Sequence, residues 1–352
     1  GAPVAELVTL GSPLLSNSTF VYTFTTQANL SVPGNYNFDA VCSIAGDVNP
    51  TNDSYTGYTV TSIAPSVGGT ILGETDVCKS GNTGVLTLTG ETGNILTWEY
   101  STDGGSTWIN ISNTTNTQSY NNLVVPTKYR AEVQNAGCAV ALSSIANMTI
   151  DQPTVGGSIS GSTTVCSGTN SGSLTSTGRT GSIVDWEYST DGGVTWNIIA
   201  NTTSTQSYLN IITTTKYRAL VQSGSCSSKY SSIATITVVP TSVGGSVSGS
   251  TTVCSGPNSV TLNLTGETGS ITRWESSIDG GTTWSFIANT TNTLGDSNIT
   301  TTTLYKVLVR SNPCSSAFSS TATVTVAPAS LGGAVNSDTV VCKLSNSGTL
   351  TL

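Results

Sequence analysis

Trp98-Glu99-Tyr100-Ser101-Thr102-Asp103-Gly104-Gly105-Ser106-Thr107-Trp108 returns as Trp186-Glu187-Tyr188-Ser189-Thr190-Asp191-Gly192-Gly193-Val194-Thr195-Trp196. It returns again as Trp274-Glu275-Ser276-Ser277-Ile278-Asp279-Gly280-Gly281-Thr282-Thr283-Trp284, each copy 88 residues after the last. Glycine tolerates the positive φ that a tight hairpin needs. The aspartate carboxylate can accept backbone N–H groups across such a turn. The stretch is therefore a hairpin, and its two tryptophans are expected near one another across the strand pair, where aromatic pairs stabilise a sheet.

Working outward, the same step of 88 governs Val67-Gly68-Gly69, Val155-Gly156-Gly157, Val243-Gly244-Gly245 and Leu331-Gly332-Gly333. The chain thus divides into three full repeats, 67–154, 155–242 and 243–330, and the start of a fourth, 331–352. The period is too long for a solenoid unit and suits an independent sandwich domain. In the second copy, strands are expected near 157–166, 172–177, 182–189, 194–200, 205–209, 215–223 and 228–239. Thr215-Lys216-Tyr217-Arg218-Ala219-Leu220-Val221 alternates as a half-buried strand, its tyrosine filling a corner of the core. Residues 1–66 lack the tryptophan pair and read as the C-terminal part of another Ig-like domain, with strands at Phe20–Phe24 and Tyr36–Val41. Both ends fall inside domains, so a longer polypeptide is expected. The fold class is all-β: tandem Ig-like β-sandwich domains in an elongated array, joined stiffly around Pro65, Pro153, Pro240 and Pro328.

Composition agrees. Only 9% of the 352 residues are charged, histidine is absent and the net charge is −8. Eleven scattered lysines and arginines build no phosphate-tracking surface, which excludes nucleic acid as the expected partner. No apolar run is long enough for a membrane span.

The cysteines keep the same period: Cys78, Cys166, Cys254 and Cys342 form one series, and Cys138, Cys226 and Cys314 another. One disulfide per repeat is expected, Cys78 with Cys138, Cys166 with Cys226 and Cys254 with Cys314, stapling one end of each domain. Cys42 awaits a mate upstream, or an intermolecular one. Without histidine or a CxxC pair, no metal site or other cofactor is expected. Asp47, Asn49, Asn52 and Asp53 crowd one turn, and turn capping is favoured there over calcium. Asn113, Asn201 and Asn289 carry the N-x-S/T pattern, which arises easily in so Asn/Thr-rich a chain.

Ser101-x-Asp103-x-Gly105-x-Thr107-Trp108 resembles the Asp-box hairpin of sialidase propellers and several unrelated β folds, in which it is a structural turn. Propeller blades have a shorter period, and Arg130, Arg179, Arg218, Arg273 and Arg310 assemble no carboxylate-binding cluster. No catalytic residue is expected. The combination of Val165-Cys166-Ser167-Gly168, the tryptophan hairpin, Asn201-Thr202-Thr203, Thr214-Thr215-Lys216-Tyr217-Arg218 and Ser223-Gly224-Ser225-Cys226 resembles the Ig-like repeats of giant flavobacterial cell-surface adhesins. Those belong to the gliding-motility proteins exported by the type IX system. The resemblance implies an extracellular stalk or filament that is not an enzyme, with surface or polysaccharide ligands unspecified. Two alternatives stand beside it. One is a filament subunit that self-associates by strand complementation. The other is a carbohydrate-binding array on a secreted enzyme, which needs both tryptophans of each repeat exposed.

Overall fold

The computed structural model describes residues 5–12, 15, 18–43, 45, 48–334, 340, 343 and 347–348. Apart from one 3-10 turn at Pro50–Asn52, every regular element among them is a strand. Two compact units are present: Gly1–Pro153 with Gly224–Cys226, and Thr154–Ser223 with Ser227–Leu352.

The first 66 residues contribute one antiparallel pair, β1 (Gly34–Val41) and β2 (Ser54–Ser62), with Gly34 opposite Ser62. The strand expected at Phe20–Phe24 does not form, and its side chains stay exposed. Alternation alone does not make a strand; a neighbour must take up its N–H and C=O groups. Here Glu6 takes up this segment instead. Its carboxylate accepts the Tyr22 hydroxyl and the backbone N–H groups of Thr25 and Thr26, which hold its pKa at about 2. Asn49 caps the 3-10 turn through Thr51, as expected. Asp47 and the Asn52 side chain lie outside the described residues.

Repeat 1 holds β3 (Thr70–Leu72), β4 (Asp76–Cys78), β5 (Thr83–Thr89), β6 (Asn94–Ser101), β7 (Ile109–Ile111), β8 (Thr117–Asn121), β9 (Thr127–Gln134), β10 (Ala141–Leu142) and β11 (Ala146–Asp151). One sheet runs β3-β5-β8; the other runs β4-β11-β9-β6-β7, with β10 on β9. All pairs are antiparallel except β4 with β11. The other two repeats have the same order. In repeat 2 the observed strands lie within the expected spans, except that Ser171–Thr177 starts one residue earlier, and two spans are broken. The first becomes Ser158–Ser160 and Thr163–Cys166, which pair in different sheets, and the last becomes Lys229–Tyr230 and Ala234–Val239. Gly161, at φ +106°, makes the sheet switch possible in the first case.

The core lies between the sheets. In repeat 1, Leu86 and Leu88 of β5 face Trp98 of β6, Ala131 and Val133 of β9, and Met148 of β11. β9 alternates as expected: Thr127, Tyr129, Ala131 and Val133 are buried, while Lys128, Arg130 and Glu132 are half-buried on the outer face. In repeat 3 the tyrosine at this position, Tyr305, donates its hydroxyl to the Asp296 carboxylate.

The Gly-Gly landmark has a steric cause. A Cβ on Gly156 would sit 1.9 Å from the Tyr230 carbonyl oxygen, and Gly157 has φ +73°. A Cβ on Gly68 or Gly244 would likewise sit 1.9 Å from the Leu142 carbonyl oxygen or 2.0 Å from that of Phe318. Gly156→Ala is therefore expected to destabilise repeat 2 by at least the ~1–3 kcal/mol of an overpacked site, because the obstacle is backbone that must move. Denaturant unfolding of the variant against the parent chain checks this.

Candidate functional site

Two recurring constellations stand out: the Asp-Gly-Gly hairpin and the cystines. In repeat 2 the hairpin joins Ser182–Ser189 to Asn197–Ile199. Asp191 sits at its centre as an acceptor hub. Its Oδ1 accepts the Ser189 hydroxyl at 2.7 Å and the Val194 N–H at 3.0 Å; its Oδ2 accepts the Thr195 N–H at 2.9 Å and the Thr195 hydroxyl. Ser189 Oγ accepts the Gly193 N–H at 2.8 Å. Asp103 and Asp279 form equivalent hubs.

The threonine hydroxyl, then the threonine N–H and the serine hydroxyl, hold all three carboxyls well below the ordinary aspartate range. An unfolded aspartate titrates near 3.9, so the hubs stabilise fully above about pH 5 and progressively less as pH falls through about 4. Asp191→Asn replaces one acceptor oxygen by a donor that faces other donors. The variant is expected to be less stable at pH 7, and its deficit to shrink steadily below about pH 4. Thermal melts of both chains from pH 2 to 7 test this; a deficit that does not change with pH would refute it.

The expected pairing of the two tryptophans across the strand pair is not made: Trp186 is opposite Ile199 and Ala219. Trp196 folds back on its own turn, with Nε1 donating to the Gly193 carbonyl at 3.0 Å. Its ring carries the Arg218 guanidinium at 4.0 Å, and the same guanidinium lies 3.6 Å from the Tyr230 ring centroid. Arg218 Nε donates to Glu187 Oε2 at 2.6 Å, and Glu187 is buried. Repeat 1 builds the stack from Trp108, Arg130 and Glu99. Repeat 3 uses Lys306 over Trp284 and Phe318, with Arg273 as a second cation on Glu275. These glutamates escaped the reading of the sequence. Their signal was an opposite charge directly across the ladder: Glu99 with Arg130, Glu187 with Arg218, Glu275 with Lys306.

A sugar platform needs free aromatic faces. Trp98, Trp186 and Trp274 are 0% exposed, and each outer tryptophan has a cation over its ring. The carbohydrate alternative therefore fails its own condition.

The cystines correct the expected pairing. Cys78 is bonded to Cys226, and Cys166 to Cys314, each pair 148 residues apart. The pairs Cys78–Cys138, Cys166–Cys226 and Cys254–Cys314 are not made: Cys138 and Cys254 are free thiols, as is Cys42. The reason is position. Cys78 ends β4 opposite Asp151, where the chain leaves repeat 1. Cys138 follows β9 at the other end, where the chain enters, its thiol donating to the Ala64 carbonyl at 3.5 Å. An eight-residue strand, about 25 Å, separates the two ends. The Ser223-Gly224-Ser225-Cys226 turn instead meets the exit of repeat 1: Ser225 N–H donates to Asp151 Oδ2 at 2.7 Å, and Cys226 Sγ lies 3.3 Å from the Gln152 carbonyl oxygen. Cys314 lies 3.4 Å from the Pro240 carbonyl oxygen in the corresponding place. Cys342 is outside the described residues.

Asn113, Asn201 and Asn289 are turn residues, each accepting the N–H of the threonine two positions on. Among the described residues no group of three or more histidines, cysteines, aspartates or glutamates is placed to hold a metal, and no helix is long and apolar enough to cross a membrane.

Fold and site together define a class: tandem Ig-like β-sandwich repeats, linked in series by cystines of the kind that persist in oxidising, extracellular surroundings. Residues 67–152, 155–240 and 243–328 each match the family described as "Domain of unknown function (DUF8696)", and the chain belongs to that family. No curated protein matches it. Among solved structures it is similar to the FN1-FN3 domains of chicken CNTN1, at 14% identity over 74% of this chain and 99% of that one, TM-score 0.24. It is also similar to extracellular domains 3-5 of Drosophila OTK, at 14% identity over 75% and 97%, TM-score 0.28. Sidekick-1 immunoglobulin domains 1-5 align at 11% identity over 86% and 68%, TM-score 0.32.

Proposed function

We propose that this chain is a stalk segment of a secreted cell-surface adhesin, of the gliding-motility, type IX-exported kind that its motifs resemble. The observation that carries the reading is the cystine connectivity: each described cystine joins consecutive repeats, so the array is held in series by more than its backbone. Such bonds suit a chain that is pulled. The recurrent residues support turns, cores and cross-strand pairs, which is what a spacer requires. A sparsely charged surface rich in hydroxyl and amide groups suits exposure outside the cell.

The test is made on cells of the source organism. Antibodies against residues 67–330 should label intact cells, and labelling should vanish when type IX export is blocked. In-frame removal of residues 155–330 should leave the protein displayed but reduce attachment or gliding. Labelling only after lysis, or unchanged attachment and gliding in the deletion strain, would overturn the reading.

A further inference from the structure

We propose that the two cystines reroute tension, so that a stretched array carries load backwards through the middle repeat and cannot extend beyond a short covalent limit. The inference goes beyond the stalk reading: it follows from connectivity alone and holds whether or not the chain serves on a cell surface.

The bonds Cys78–Cys226 and Cys166–Cys314 interleave, because Cys166 precedes Cys226. Between Cys78 and Cys314 the backbone alone spans 236 residues. With both cystines closed, the shortest covalent route enters repeat 2 at Cys226, runs in reverse for 60 residues to Cys166, and crosses to Cys314. The remaining 176 residues are slack at full extension. They include both inter-repeat joints, around Pro153 and Pro240, which therefore never bear the final load.

Either cystine alone leaves a shortest route of 88 residues. The two bonds are thus strongly non-additive. Opening one releases 28 residues, about 100 Å, whereas opening both releases 176 residues, about 600 Å, at ~3.5 Å per residue. Even before unfolding, the points of loading change. Cys226 follows Thr215–Gln222, and Cys166 ends Thr163–Cys166; both strands pair with Ala234–Val239. Load between the two cysteines therefore acts along this three-strand ladder.

The experiment is single-molecule pulling of the full 352-residue chain held at its two ends, oxidised and then capped with iodoacetamide at its free thiols. The fully stretched contour is read for the oxidised parent, the reduced parent, and the double variant Cys78→Ser/Cys226→Ser. Expected are a gain of about 600 Å on reduction and about 100 Å in the double variant. Bonds closed within repeats would give about 400 Å for the same variant, because two 60-residue loops would open together. That value, or no gain on reduction, overturns the proposal. Final contour does not depend on folding, and Cys166→Ser/Cys314→Ser should give the same gain of about 100 Å as the first variant.

Discussion

Reducing and alkylating both cystines is expected to cost the array on the order of 5 kcal/mol of stability and to uncouple its repeats. In the chain-entropy view a cross-link stabilises by restricting the unfolded chain, and the restriction grows with the loop. A loop of 148 residues gives about 5 kcal/mol, close to the upper end of the range for disulfides. The two loops share residues 166–226, so the second contribution does not simply add to the first. The oxidised chain should therefore unfold as coupled repeats at high denaturant. The reduced chain should unfold earlier, over a broader range, as separate repeats. Non-reducing peptide mapping should recover Cys78 with Cys226 and Cys166 with Cys314. Recovery of a Cys166–Cys226 peptide, or superimposable denaturation curves before and after reduction, would refute this.

Trp186→Ala is expected to remove most of the stability of repeat 2. Trp186 is fully buried, and its Nε1 donates to the Thr203 carbonyl at 3.0 Å. Truncating a buried tryptophan costs roughly 3–5 kcal/mol, and the orphaned carbonyl adds about 1. A domain of this size holds only about 4–13 kcal/mol in total. Trp196→Ala is the control. Trp196 is half-buried and loses chiefly its stack on Arg218, a contact worth about 0.5–2 kcal/mol. Denaturant titrations of the two variants should separate clearly. Equal losses would mean that the inner tryptophan does not hold the core.

Much of the fold was legible because its determinants are local. Asp191-Gly192-Gly193 makes its turn from its own residues, and the alternation of Thr215 to Val221 reports which face is buried. The Phe20–Phe24 segment misled for the opposite reason: it alternates correctly but has no neighbouring strand among the described residues. The Glu187–Arg218 stack was hidden because its partners meet only once two strands 31 residues apart are in register.

By itself, the sequence determined the all-β class, the 88-residue period, the hairpin turns and the existence of cystines, since each rests on local chemistry or on counting. The choice among cysteine partners was beyond it. In a strict repeat, Cys78 has a cysteine both 60 and 148 residues downstream, and the two spacings differ by one full period, so every copy offers the same ambiguity. Tertiary structure resolved it by putting the two cysteines of one repeat at opposite ends of a strand. It brought Cys78 within 4.8 Å of Cys226, Cα to Cα, a separation at which a disulfide can close.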